Sequence, residues 1–366
     1  MKKIGIITLN GYFNYGNRLQ NFALQESLKK YNFEVETVWI EKDRINNKAK
    51  SNKLQTVVKN PKSLIKKVYT KAYLNPLNEK RKFRFKQFSN QFINETTTSI
   101  SEANLPTDLL NEYDYFVTGS DQVWNPYFTN ASSLYFLTFA PREKRIAYSP
   151  SFGISEIPTW CESEFKEWLK GMEHISVRED AGAEIIRNLT GREAEVLADP
   201  TLLLSKESWL SIAKPFSNKP KESYLLTYFL GEIPVDTKIL INDISNKYNL
   251  KVVNLAQVKQ RKYYLTDPAE FLDFINSATL FFTDSFHGSV FSLLFETPFV
   301  ITDRKGSIPS MNSRIQTLLS KYGLEDRHIS KIDDTDIFNV DFTHVETILN
   351  DERSKANEYL ANALNK

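Results

Sequence analysis

Residues 279–295 read TLFFTDSFHGSVFSLLF. The first five residues have the apolar, β-favouring composition of a buried strand, and an apolar helix begins directly after the polar turn. Strands that turn at once into helices build open parallel sheets, where ligands bind beyond the carboxyl ends of the strands. We therefore predict an α/β fold with a binding site at this turn.

The turn has the features of an anion site. Ser285 is placed to cap the helix, and a helix N-terminus offers unpaired N–H groups and a partial positive charge. Gly288 would let a ligand approach the backbone closely, and His287 would stand beside the bound anion. The alternative is a histidine and a glycine that only cap a buried helix.

The same alternation of strands and helices runs through both halves of the chain. Strands are predicted at 4–9, 33–40, 115–118, 145–148, 174–178, 195–197, 224–230, 251–255, 279–283 and 298–302, and helices at 19–29, 180–187, 234–248, 268–276, 286–295, 313–322 and 343–364. Turn residues collect in 205–222, which is typical of a connection. We predict Rossmann-like domains at 1–205 and 222–340, a helix within 341–366 that packs back on the first domain, and a basic helical insertion near 46–98.

Composition limits the classes of function. The chain has 366 residues, enough for two cores, and a net charge of +2, too small for a nucleic-acid partner. Its single cysteine, Cys161, rules out a disulfide framework, and its four histidines show no metal-ligand spacing. The histidine spacing disfavours a metal site. Because the single cysteine fits a reducing compartment and no apolar run is long enough to span a bilayer, we expect a cytoplasmic protein.

Residues 42–86 are rich in lysine and arginine and contain few acids. A solvated basic face is one interpretation. The other is attraction to an acidic glycan or to an anionic membrane surface, which would place the protein at the inner face of the membrane.

Two turns in the first half could bind a sugar. Residues 10–17 form a loop rich in glycine and asparagine that lacks a dinucleotide or phosphate-loop fingerprint. Residues 119–126 combine a carboxylate, amides and an indole, which are groups that commonly hold sugars. A structural turn is the alternative for the first, and a capping aspartate with a buried tryptophan is the alternative for the second.

Several cations could complete an anion pocket. Arg178 ends a predicted strand and could direct its guanidinium at a phosphate or carboxylate. Arg304, Lys305 and Arg314 follow the strand at 298–302. Surface ion pairs and solvated loop cations are the alternatives. Asp199 could cap a turn or line the cleft, and a structural role is favoured.

Five motifs, taken in order, resemble one family. They are NYGNRLQNFALQ at 14–25, GSDQVWN at 119–125, SVRED at 176–180, DPT at 199–201 and DSFHG at 284–288. Over nearly the whole chain, from Lys3 to about Leu324, the sequence is similar to the polysaccharide pyruvyl transferases. One departure is Arg18, which follows the glycine–asparagine turn where many relatives carry an acidic residue.

The resemblance implies a fold similar to the GT-B glycosyltransferases, with two Rossmann-like domains facing a cleft. It implies transfer of a pyruvyl group from phosphoenolpyruvate, without a cofactor, to two hydroxyls of a sugar in a cell-surface or exopolysaccharide precursor. His287 and Arg178 become the catalytic candidates. The donor candidates are Ser285, Gly288, Ser289, Arg304, Lys305 and Arg314. A sugar or lipid-linked oligosaccharide acceptor would contact Asn14, Asn17, Ser120, Asp121, Gln122 and Trp124.

Two other functions fit the same sequence. A glycosyltransferase that uses a nucleotide sugar would need the same anion-binding helix start. A non-catalytic glycan-binding protein would need the residues around Trp124 but neither His287 nor Arg178.

Overall fold

A computed structural model describes residues 2–41, 74–304, 313–332 and 336–365. Seven strands form the first sheet: β1 (Lys3–Ile7), β2 (Glu34–Ile40), β3 (Glu95–Ile100), β4 (Tyr115–Thr118), β5 (Arg145–Ala147), β6 (His174–Val177) and β7 (Glu195–Val196). They lie in the order β3-β2-β1-β4-β5-β6-β7, and every neighbouring pair is parallel. The order reverses between β1 and β4, and such reversals are where open sheets bind ligands.

A second sheet contains four parallel strands. They are β8 (Tyr224–Tyr228), β9 (Lys251–Asn254), β10 (Leu280–Thr283) and β11 (Phe299–Ile301), in the order β11-β10-β8-β9. Here the order reverses between β8 and β10. The turn after β10 therefore lies at the position where this sheet is expected to bind a ligand.

The described helices longer than four residues are α1 (Tyr15–Lys29), α2 (Asn75–Phe92), α3 (Glu162–Lys170), α4 (Asp180–Thr190), α5 (Lys206–Ile212), α6 (Val235–Lys247), α7 (Pro268–Asn276), α8 (Phe286–Phe295), α9 (Ser313–Lys321) and α10 (Val345–Ala363). Four-residue helices lie at Leu109–Glu112, Pro126–Thr129 and Arg261–Tyr264. Short 3₁₀ turns lie at Ser133–Phe136, Arg142–Lys144, Pro200–Leu202 and Glu325–Arg327. All ten residues of α8 are buried, which explains why its sequence is apolar apart from His287, Ser289 and Ser292.

The predicted α/β fold with parallel sheets is confirmed. Two details were wrong. The range predicted for the helical insertion, 46–98, extends too far. The helix α2 ends at Phe92, and β3 then pairs with β2 at the edge of the first sheet. The connection predicted at 205–222 contains α5, which buries Trp209 completely. The domain boundaries stay a prediction.

One buried apolar cluster contains residues from both sheets. Tyr15, at the start of α1, stacks on Phe271 of α7 with ring centroids 4.2 Å apart. Trp209 packs edge-on against Phe291 of α8 with centroids 4.9 Å apart. The Tyr359 hydroxyl of α10 donates to the backbone oxygen of Ala147 in β5 at 2.8 Å, so the last helix lies against the first sheet.

Within the described ranges, no helix is both long enough and apolar enough to cross a membrane. Of the basic segment 42–86, residues 42–73 lie outside the described part. On α2, Lys80, Lys82 and Lys86 are exposed. Contact between this segment and a membrane stays a prediction.

Candidate active site

Hydrogen bonds within the turn between β10 and α8 cap the start of α8. Ser285 Oγ accepts a hydrogen bond from the backbone N–H of Gly288 at 3.2 Å, and Ser289 Oγ donates to the Ser285 carbonyl at 3.3 Å. A Cβ on Gly288 would lie 2.9 Å from Thr283 Oγ1. Gly288 therefore makes room for β10 and has a satisfied N–H, which corrects the expectation that it opens the backbone to a ligand.

Asp284 joins the carboxyl ends of β8 and β10. Its carboxylate accepts hydrogen bonds from the backbone N–H groups of Leu230 at 2.7 Å and Gly231 at 2.8 Å. Arg304 donates to the Asp284 backbone oxygen at 3.1 Å, and its Nε lies 3.5 Å from the Asp284 carboxylate. Asp284 therefore fixes both the loop after β8 and the predicted donor residue Arg304.

The buried carboxylate of Asp199 connects the two catalytic candidates. Its Oδ2 accepts a hydrogen bond from Arg178 Nη1 at 2.6 Å and lies 3.5 Å from His287 Nε2. Its Oδ1 accepts from the Thr201 hydroxyl at 2.6 Å. Arg178 comes from the end of β6 and His287 from α8, so Asp199 links the two sheets at the site. Sequence reasoning favoured a structural role for this residue over a place lining the cleft.

Opposite effects act on the pKa of Asp199. Burial alone would raise the pKa of this carboxyl, but the charge of a protonated His287 and the charge of Arg178 lower it well below its usual range. Asp199 is therefore ionised at neutral pH. Ser120 is fully buried and donates to Asp199 Oδ2 at 2.8 Å, which corrects its expected place among the sugar ligands.

Two buried guanidinium groups lie near the Phe286 ring. The Cζ atoms of Arg178 and Arg314 are 4.3 and 5.8 Å from the ring centroid. Burial, and after it the charges of Arg178 and Arg304, lower the pKa of Arg314 to about 9. Lys305, the other predicted donor cation, lies outside the described residues.

Several buried nitrogens of this cluster have no hydrogen-bond partner among the described residues. They are Nε and Nη2 of Arg178, Nε of Arg314, Nε of Arg304 and Nε2 of His287. Buried cations are costly unless anions pair with them. A cavity of about 20 Å³, lined by Arg178, Asp199 and Arg314, lies beside them and is large enough for one water. The cluster therefore keeps buried donor groups without a hydrogen-bond acceptor in the described part of the chain, although Asp199, Asp284 and Asp121 lie beside its arginines.

A larger cleft of about 420 Å³ lies beside this cluster, and loops from both sheets line it. Asn14, Asn17, Asp121 and Gln122 from the first sheet and Arg304 from the second contribute. Asp121 has a φ of 71°, which is rare for a residue with a side chain and is typical of functional sites. Its carboxylate lies 3.9 Å from Arg178 Nη2, so the cleft directly adjoins the cation cluster.

Trp124 does not line this cleft. The indole is fully buried, stacks on Phe136 with centroids 5.0 Å apart and donates to the Tyr135 backbone oxygen at 3.0 Å. No face of the ring is open to a sugar, which corrects the prediction that Trp124 binds the acceptor. In the described part of the chain, no three His, Cys, Asp or Glu side chains come together as metal ligands.

The model of one protein family, polysaccharide pyruvyl transferase, matches residues 14–306. The chain belongs to this family. The match contains all five motifs named above, including those of His287, Arg178 and Asp199. Among curated proteins, none matches the sequence.

Solved structures similar to this pyruvyl transferase family member are distant in sequence. UDP-GlcNAc 2-epimerase from Methanocaldococcus jannaschii is 14% identical, with 100% of this chain and 99% of that chain covered and a TM-score of 0.46. The Neisseria meningitidis UDP-GlcNAc 2-epimerase is 10% identical over 100% and 99%, with a TM-score of 0.42. ADP-heptose LPS heptosyltransferase II from E. coli is 11% identical over 96% and 99%, with a TM-score of 0.36.

Sequence reasoning missed one further residue of the site. Gly16, near the start of α1, lies so close to His287 that a Cβ on it would overlap the imidazole ring. The N–Y–G–N motif of the pyruvyl transferase match therefore contacts the D–S–F–H–G motif, more than 250 positions away. Nothing in the local sequence of either motif indicates this contact.

We expect Gly16→Ala to displace His287 and to lower the free energy of unfolding by about 1–3 kcal/mol, because the new methyl group has no space. Gly11→Ala is the matched control, since a Cβ at Gly11 has no atom within 4 Å. Urea unfolding of both variants measures the difference. Equal stability of the two variants would contradict the contact between Gly16 and His287.

Proposed function

We propose that the protein transfers the pyruvyl group of phosphoenolpyruvate to two hydroxyls of one sugar residue in a cell-surface or exopolysaccharide precursor, forming a cyclic ketal. The observation that carries the proposal is the cluster of Arg178, Arg314 and His287 with its unpartnered buried nitrogens. Phosphoenolpyruvate has a phosphate and a carboxylate next to each other, and guanidinium groups pair well with both. Two buried arginines near one ring, Arg178 and Arg314, suit that pair of anions.

The reaction needs a proton donor and a proton acceptor. A proton adds to the methylene carbon of phosphoenolpyruvate, and the first sugar hydroxyl bonds to the neighbouring carbon and loses its proton. Phosphate then leaves, and the second hydroxyl closes the ring and loses its proton. Of the two hydroxyl protons, one replaces the proton taken up by the methyl group and the other leaves on phosphate.

In this proposal His287 moves these protons, because an imidazole gains and loses a proton near neutral pH. Arg178, Arg314 and Arg304 neutralise the donor and the departing phosphate. Asp199 is a positioning residue. It fixes Arg178 through the hydrogen bond of 2.6 Å, and its carboxylate lies 3.5 Å from His287 Nε2.

Thermal unfolding with different ligands tests the choice of donor. A ligand at about one hundred times its dissociation constant stabilises the folded state by about 2.7 kcal/mol. We expect phosphoenolpyruvate to raise the melting temperature and inorganic phosphate to raise it less, because phosphate lacks the carboxylate. Stabilisation by UDP-sugars but not by phosphoenolpyruvate would favour a nucleotide-sugar glycosyltransferase instead.

A further inference from the structure

Two exposed aromatic rings stand on the first-sheet side of the cleft of about 420 Å³. Phe13 is 49% exposed and Phe128 is 40% exposed, and both line this cleft. Phe13 precedes α1, and Phe128 belongs to the short helix Pro126–Thr129. Large aromatic groups that are exposed inside a concave site offer apolar faces to a ligand.

Polar groups beside these rings are held at fixed positions. The Asn17 amide donates to the Leu9 backbone oxygen at 2.7 Å and accepts from Arg18 at 2.9 Å. The Asn10 amide donates to the Ile40 backbone oxygen at 3.2 Å, and its own oxygen has no hydrogen-bond partner among the described residues. Fixed amides next to open aromatic faces suit a ligand with hydroxyl groups on its edge and an apolar face.

The charges that line the cleft nearly cancel. Asp121 contributes a carboxylate, and the Arg304 guanidinium lies beside the Asp284 carboxylate at 3.5 Å. The buried cation cluster around Arg178 and Arg314 lies next to this cleft but does not line it. Because one carboxylate and one guanidinium that is already paired line the cleft, it offers an acidic sugar no net positive charge, and a neutral sugar needs none.

We propose that Phe13 and Phe128 form the binding surface for the acceptor, and that the acceptor is a neutral pyranose whose apolar ring face lies against them. The role as acceptor rests on the proposed pyruvyl transfer, but the binding of a neutral sugar does not. These two rings take the place that the sequence suggested for Trp124.

Binding to a glycan array tests this surface with Phe13→Ala, Phe128→Ala and Tyr127→Ala. Tyr127 is the matched control, because it is 44% exposed on the same short helix and does not line the cleft. We expect the unmodified protein to bind neutral glycans. Each Phe→Ala variant should bind them about tenfold or more weakly, since it loses an aromatic face that the bound sugar would cover. Tyr127→Ala should bind normally.

Thermal stabilisation by phosphoenolpyruvate, measured on the same variants, separates this proposal from the proposed function. We expect both Phe→Ala variants to keep it. Normal glycan binding by both variants, an equal loss in Tyr127→Ala, or binding of acidic glycans alone would overturn the acceptor surface. Neutral glycan binding that depends on Phe13 and Phe128, in a protein that ignores phosphoenolpyruvate, would support the surface and contradict the donor.

Discussion

Replacement of His287 by asparagine is expected to lower the turnover of pyruvyl transfer by about a hundredfold or more, because asparagine cannot exchange a proton with the donor or the acceptor. The fold should be retained. Ser285 and not His287 caps α8, and asparagine is smaller than the imidazole that packs against Gly16. Phosphate release from phosphoenolpyruvate in the presence of neutral glycans measures the loss.

His174→Asn is the matched control for this experiment. His174 begins β6, whereas Arg178 follows the end of that strand, so the control histidine lies at the opposite end of the sheet from the site. We expect normal turnover in this variant. If His287→Asn released phosphate as fast as His174→Asn, His287 would have no part in the proton transfers.

Two arginine variants are expected to separate stability from donor binding. Arg178→Ala removes the guanidinium that pairs with the buried Asp199 carboxylate at 2.6 Å and leaves it with the Ser120 and Thr201 hydroxyls and His287. Breaking a buried pair typically costs about 3–5 kcal/mol. Arg314→Gln removes a charge whose burial is already unfavourable, as its lowered pKa of about 9 shows. We therefore expect Arg178→Ala to lower the free energy of unfolding strongly and Arg314→Gln to leave it unchanged or higher.

Arg314→Gln should keep its stability but bind the donor more weakly. Arg314→Gln is expected to lose most of the stabilisation by phosphoenolpyruvate, because a buried guanidinium is replaced by a neutral amide. Urea unfolding with and without phosphoenolpyruvate measures both quantities on one sample. Full stabilisation of Arg314→Gln by the donor would show that Arg314 does not bind it, and an unchanged stability of Arg178→Ala would contradict the Asp199 pair.

Local sequence was sufficient to predict a strand or helix where a short stretch consists almost entirely of apolar residues. Residues 279–295 gave β10 and α8 because a buried strand and a fully buried helix contain almost only apolar residues outside their polar turn. β3 was missed because its sequence, ETTTSI, lies at a sheet edge, where one side is exposed and no apolar alternation is required.

The roles of single site residues were harder to predict, because burial depends on partners far along the chain. Trp124 and Ser120 have side chains suited to sugars, but both are fully buried, and one of them donates to a carboxylate 79 positions away. Asp199 and Gly16 lie next to His287 through contacts between the two sheets. Such contacts depend on how the sheets pack together, and no motif spacing encodes them.

Transfer of label from phosphoenolpyruvate to sugar tests the proposed function most directly. The protein is incubated on a glycan array with carbon-labelled phosphoenolpyruvate, and in parallel with labelled UDP-sugars. We expect acid-labile label on neutral glycans from phosphoenolpyruvate, with release of one phosphate for each label, and no label from UDP-sugars. Label from a UDP-sugar and none from phosphoenolpyruvate would contradict pyruvyl transfer.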